Sequence, residues 1–199
     1  MNVPETSPDD IQTMLRLKGG EDLALNELMA RWQQPLVAFI LRYTGNEQDA
    51  LDLAQETFAR IYESRARYQP AAKFSTWLFT IATNLCRNLA RWRERHPTVP
   101  LDHSADADAP TLGESLPAPG DSPSDNAERE DLASAVREAI QELPHDLRST
   151  VLLFEYQELG YEEIAGTLGC SPKAVETRLY RARKILREAL ARWKFTTSR

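Results

Sequence analysis

Cysteine is scarce in this chain of 199 residues: Cys86 and Cys170 are the whole supply, and neither has a CxxC or Cys/His partner at metal-ligand spacing. Two thiols so far apart predict reduced residues of a cytosolic protein, not a disulfide scaffold. No apolar run approaches the roughly 18 residues that a membrane helix needs, so no membrane insertion is expected. The first ten residues, MNVPETSPDD, carry neither a basic start nor an apolar core, so no secretory signal is read there and a cytoplasmic location is expected. His96, His103 and His145 lack metal-ligand spacing. P-loop and GxGxxG patterns are missing, and Gly19-Gly20 is an isolated pair. No nucleophile, general acid or general base stands in a recognisable arrangement. These gaps argue against an enzyme and predict no metal and no cofactor.

What the chain does have is charge, unevenly placed. The net charge of −6 averages over three blocks. Arg60 to Arg95 carries +6 and Cys170 to Arg199 carries +7, while His96 to Asp131 between them carries −8. Two basic blocks flanking an acidic stretch are expected of two nucleic-acid-facing modules in one polypeptide. Residues 97–126, with Pro97, Pro100, Pro110, Pro117 and Pro119 among Asp and Ser, show no sustained apolar periodicity. This stretch reads as a flexible acidic linker between a domain at 1–96 and another at 127–199.

The densest signal is YEEIAGTLGCSPKAVETRLYRARKILR, Tyr161 to Arg187. Gly169 can take the left-handed conformation that ends a helix. Ser171 can cap the next helix, and Pro172 suits its first position because the missing N–H has no partner there. The spacing Ala165-x3-Gly169-x5-Val175 is that of a helix-turn-helix: a small residue for close approach, a glycine for the turn, a branched residue to lock the second helix. Val175, Leu179, Ala182, Leu186 and Ala189 form the stripe to be buried. Lys173, Thr177, Tyr180, Arg181, Lys184 and Arg187 fall on other faces and offer phosphate anchors and groups able to reach base edges.

Upstream, Asp9 to Lys18 reads as a short helix. Leu25, Leu28, Met29, Trp32, Leu36, Phe39, Ile40 and Tyr43 predict a long one, with a kink or break at Pro35. Asn46 is placed to cap the next helix, which buries Ala50, Leu53, Ala54, Thr57, Phe58, Ile61 and Tyr62. Its other side carries Asp49, Asp52, Gln55, Glu56 and Glu63, either a solvated acidic face or a docking surface for a basic partner. A further helix from about Ser75 to His96 buries Leu78, Ile81, Ala82, Leu85, Leu89 and Trp92. Asn84, Arg87, Asn88, Arg91 and Arg95 line its polar stripe. Phe74, Trp77 and Phe79 cluster at its start, where aromatics beside a basic stripe suit single-stranded nucleic acid. Phe74 and Trp77 fit a core role equally well. Beyond the linker, Leu132, Val136, Ile140 and Leu143 mark one helix and Asp146 to Glu158 another. No strand pattern occurs, and the predicted fold is all-α: two small helical domains.

Three stretches in this order resemble the bacterial RNA polymerase sigma factors of the extracytoplasmic-function (ECF) group. DALDLAQETFARIY (Asp49 to Tyr62) resembles the core-binding helix of sigma region 2. FSTWLFTIATNLCRNLARWR (Phe74 to Arg93) is similar to the segment that opens and reads the −10 element. ELPHDLRSTVLLFEYQELGYEEIAGTLGCSPKAVETRLYRAR (Glu142 to Arg183) resembles region 4, which reads the −35 element. The resemblance covers about residues 20–95 and 127–190. It implies that Asp49, Asp52, Gln55 and Glu56 dock on the clamp helices of the largest subunit of core RNA polymerase. It implies that Phe74, Trp77, Asn84, Arg87, Asn88 and Arg91 handle the single-stranded −10 element, with Asn84 on a flipped base. Lys173, Glu176, Thr177, Tyr180, Arg181 and Lys184 would face the duplex −35 element. An anti-sigma factor is implied as a further partner. Two departures bear on promoter choice: Glu176 stands where many relatives carry Arg or Lys, and Tyr68 to Lys73 lacks the Gly/Asp character of the base-capturing loop. The competing reading is a stand-alone helix-turn-helix regulator acting without core polymerase.

Overall fold

The structure, a computed structural model, describes residues 8–70, 73–96 and 123–197. Eight α-helices are present among them: α1 (Pro8–Lys18), α2 (Ala24–Thr44), α3 (Glu47–Ser64), α4 (Phe74–Arg95), α5 (Pro123–Gln141), α6 (His145–Glu155), α7 (Tyr161–Leu168) and α8 (Pro172–Thr197). A 3₁₀ turn, Arg65–Arg67, follows α3. No strand occurs among the described residues. Most of the predicted linker lies outside them, but α5 starts at Pro123, earlier than the expected domain start at Ala127.

Local chemistry sets the helix ends. Asn46 has extended backbone and its side chain accepts the Asp49 N–H at 2.9 Å, capping α3. Gly45 ends α2 in the left-handed region at φ 71°. Pro35 neither breaks nor ends α2, which runs unbroken from Ala24 to Thr44. Trp32, Leu36, Phe39, Ile40 and Tyr43 along its length are all buried, and that packing outweighs one lost backbone hydrogen bond.

The α1–α4 half is built on rings. Trp32 meets Phe74 at 5.9 Å and Phe79 at 6.3 Å, both edge-on, and Phe39 meets Phe79 at 5.2 Å. Such pairs contribute about 0.5–1.5 kcal/mol each beyond their buried area. The α5–α8 half buries Ile140, Leu143, Val151, Leu152, Leu153, Ile164, Val175 and Leu179. Buried Ser149 and Thr150 satisfy their hydroxyls on the carbonyls of His145 and Asp146 one turn back.

Several burial expectations change. Leu132 is exposed, and α5 buries Ala135 and Ala139 beside the expected Ile140, because small side chains let it lie close to its neighbours. Trp92 is 49% exposed and stacks on His96 at 4.9 Å beyond the reach of the core. Helix α6 stops at Glu155, short of Glu158, which itself adopts φ 52° in the turn that follows. The two halves touch: α7 packs on α4, and α5 and α6 pack on α2.

Candidate nucleic-acid interface

In the C-terminal half, α7 and α8 make the helix-turn-helix. Gly169 closes α7 at φ 62°, donating its N–H to the Ala165 carbonyl, and the Cys170 N–H reaches the same oxygen at 3.0 Å. Ser171 Oγ accepts the Ala174 N–H at 3.2 Å, so the cap read from sequence is in place and Pro172 opens α8. Val175, Leu179 and Ala182 are buried, with Leu186 half-buried beside them. This pins one side of α8 and leaves the other side outward.

On the outward side stand Lys173, Glu176, Thr177, Tyr180, Arg181 and Lys184, all exposed, with Tyr180 at 72%. Thr177 donates its hydroxyl to the Lys173 carbonyl at 2.9 Å. Lys173 Nζ lies 2.6 Å from Glu176 Oε2. An exposed pair of this kind is worth about 0–1 kcal/mol, so a ligand can take over either partner at little cost. Sequence reasoning passed over Tyr161 and Arg183, which line an open groove along this face with Tyr180 and Arg187. Arg183 lies over the Phe154 ring at 5.3 Å and pairs with Glu155 at 2.9 Å. Its only sequence signal was membership of a basic run.

In the N-terminal half, α4 divides its residues sharply. Phe74 is fully buried against Trp32 and Trp77, which is the core role, and it offers no ring face to solvent. Trp77 is half-buried, 5.2 Å from Tyr68. Asn84, Asn88 and Arg91 are exposed, and Arg87 is half-buried, its Nε enclosed without a hydrogen-bond partner among the described residues. Helix α4 therefore presents amides and guanidiniums outward over an aromatic base.

The acidic side of α3 is not uniform either. Asp49 is half-buried and ion-paired with Arg93 at 2.7 Å, joining the start of α3 to the end of α4. Asp52 accepts from Gln48 at 3.0 Å, and Glu56 pairs with Arg60 at 2.7 Å. Asp52, Gln55 and Glu56 are exposed. Cys86 is buried among these helices, and desolvation pushes its thiol up to about 12. Both cysteines are free.

Residues 28–96 match the family described as Sigma-70 region 2, and residues 133–186 match Sigma-70, region 4. The chain is 32% identical over 185 residues to the RNA polymerase sigma-H factor of Pseudomonas aeruginosa, spanning 93% of this chain and 95% of that protein. It is 31% identical over 176 residues to the ECF RNA polymerase sigma factor SigW of Bacillus subtilis, spanning 88% and 93%. A solved structure of CnrH in complex with the cytosolic domain of CnrY superposes with a TM-score of 0.67 at 26% identity, covering 92% of this chain and 97% of that one. The RpoE of Bartonella quintana, solved with the anti-sigma factor NepR, has the same fold at a TM-score of 0.63 and 22% identity, covering 85% and 98%. Two sigma regions in the right order, and relatives matched nearly end to end, place this chain in the sigma-70 family as an ECF sigma factor, a transcription initiation factor and not an enzyme.

Proposed function

We propose that this sigma factor joins core RNA polymerase through the exposed side of α3, with Asp52, Gln55 and Glu56 meeting the clamp helices of the largest subunit. Asp49 would hold that helix in register through Arg93. The −35 duplex is then read from the outward face of α8 by Lys173, Glu176, Thr177, Tyr180, Arg181 and Lys184. Arg181 is the group suited to a bidentate contact with guanine, and Glu176 can accept from a cytosine amino group. The −10 strand is held along α4 by Trp77, Asn84, Arg87, Asn88 and Arg91, with Phe74 supporting Trp77 from below. A flipped base costs a few kcal/mol, which contact with Asn84 and stacking must offset. The protein works in the cytoplasm, where its template is. Because the sigma factor RpoE of Bartonella quintana is solved with the anti-sigma factor NepR, and CnrH with the cytosolic domain of CnrY, an anti-sigma factor is the regulatory partner to expect.

The observation that carries this reading is the division within α4: apolar rings sealed beneath, and Asn84, Asn88 and Arg91 exposed on one stripe above. The test is run-off transcription with purified bacterial core polymerase and a genomic promoter library, with this protein added or omitted. Discrete transcripts should depend on the protein. On a promoter found this way, Arg181→Ala should weaken −35 binding about 5- to 150-fold, the range of one good base contact at about 1–3 kcal/mol. Asn84→Ala should slow strand opening while leaving the closed complex intact. If both variants transcribe like the parent, these assignments fail. Tight duplex binding by the protein alone, with no effect of core, would favour a regulator that acts without polymerase.

A further inference from the structure

Helix α4 ends on a feature that the promoter assignments above do not use. Asn84, Asn88, Trp92 and His96 follow one another at steps of four, so they lie in a row along one face of the helix. All four are exposed. Trp92 is the anomaly in the row: 49% of its surface is open, in a protein that buries Trp32 completely. A large ring left on a surface marks a place of contact, because one such side chain covers much area on a partner.

The indole is open but not loose. The His96 ring stacks on it at 4.9 Å with the planes 21° apart. The His96 backbone N–H donates to the Trp92 carbonyl at 2.9 Å, and the ring Nδ1 lies 2.9 Å from the same oxygen. These contacts fix the imidazole at the end of the helix, and the imidazole holds the indole in one orientation. A ring already held loses little freedom when a ligand arrives.

The charges around the ring select that ligand. Arg91 and Arg95 are exposed beside the row, Arg95 with its Nε on the Arg91 carbonyl at 3.1 Å. The other two charged groups of this turn are engaged elsewhere: Arg93 pairs with Asp49 at 2.7 Å, and Glu94 meets His145 at 3.0 Å. A flat ring between guanidiniums, in line with two amides, fits a nucleobase on a phosphate backbone, the ring taking the base face and the cations the phosphates. Base faces are hidden inside a duplex, so the ring suits an unpaired base. Trp92 lies about 12 Å beyond Asn84 at 1.5 Å per residue, too far for both to hold one base.

We propose that Trp92, braced by His96, is a stacking platform for a second unpaired base of the melted promoter strand, separate from the base assigned to Asn84. The inference rests on the reading of α4 as the −10 helix and adds to it a residue that helical spacing placed in the core.

The test uses holoenzyme assembled from purified bacterial core polymerase and the full chain, on a promoter found by run-off transcription and prepared with its −10 region as an unpaired bubble. Trp92→Ala should weaken binding to this bubble about 5- to 150-fold, the stacking contribution of one base. Its helix content by circular dichroism and its co-elution with core should match the parent. Trp92→Tyr should recover most of the loss and Trp92→Leu little, since a base stacks on a flat ring and not on a branched chain. Abasic sites moved one position at a time through the unpaired strand supply a second readout. At one position, different from the one sensitive to Asn84→Ala, base removal should weaken the parent and leave Trp92→Ala no weaker than before. Equal binding by Trp92→Ala, full rescue by Trp92→Leu, loss of co-elution with core, or additive losses at every abasic position each overturn the proposal. If Trp92→Ala alone is silent, the −10 reading stands without this residue. If Asn84→Ala is silent too, that reading falls and the platform falls with it.

Discussion

The two halves of this sigma factor spend their aromatic residues in opposite ways. In α1–α4 the rings of Trp32, Phe39, Tyr43, Phe58, Tyr68, Phe74 and Phe79 are buried. In α5–α8 Phe154 and Tyr156 are only half-buried, Tyr161 and Tyr180 are exposed, and the core is aliphatic. A ring core fixes its neighbours by edge-to-face geometry, which suits the role proposed for α4, presenting amides at constant spacing to a single strand. An aliphatic core of short helices fixes less, so the C-terminal half leans on caps and turn residues such as Gly169 and Ser171. Tyr161 and Tyr180 stay on the surface, beside the face proposed to meet duplex DNA.

Substitutions can break or sharpen this contrast. Trp32→Ala removes the hub of the ring core and should cost about 3–5 kcal/mol, read by chemical denaturation and expected to unfold the N-terminal half first. Leu152→Ala in the aliphatic core should cost about 2–4 kcal/mol, and fluorescence from Trp32 and Trp77 should follow this loss less than circular dichroism does. If both variants melt every probe together, the halves form one cooperative unit and the contrast is only one of composition. Gly169→Ala forces a side chain into the left-handed region and should cost about 1 kcal/mol. Asn46→Ala should cost a similar ~1 kcal/mol through the lost cap on α3, with Asn46→Ser recovering most of it. The smallest effect concerns Cys86. At neutral pH Cys170 should alkylate readily and Cys86 only on unfolding. Because its folded thiol is raised to about 12, the Cys86 contribution to stability is whole at neutral pH. It is lost as pH climbs from the ordinary thiol range near 8.5 toward that value.

Elements written in local chemistry were legible from the sequence. The turn at Gly169, Ser171 and Pro172, the Asn46 cap and the buried stripe Val175–Leu179–Ala182 each depend on neighbours within a turn or two, and they form as read. What sequence periodicity misjudged was depth. Leu132 and Trp92 sit at helical spacing yet lie past the edge of the core, because no other element among the described residues covers them. Pro35 was read as a kink or break, and the helix is not broken there, because a proline signal is local and the packing that holds the helix is not. Phe74 and Trp77 allowed two roles in the sequence; packing puts Phe74 wholly inside and Trp77 at the boundary. Gln141 and Arg148 were not singled out at all, and Tyr43 and His145 were not read as partners of each other, since the groups they meet are about a hundred positions away in the chain or hidden on backbone carbonyls. No spacing rule reaches that far.

The contact between the halves has one more consequence, for the stretch that joins them. Residues 97–122 at full extension reach roughly 90 Å at about 3.3–3.6 Å per residue, so parting the halves need not unravel either one. A tether of this order presents one module to the other at an effective concentration around millimolar. Contacts too weak to hold two separate chains together would then persist within a single chain. Doubling the tether would lower that concentration by a factor equivalent to about 0.6 kcal/mol. The length of the acidic spacer, quite apart from its composition, therefore sets how strongly each half feels its contacts with the other.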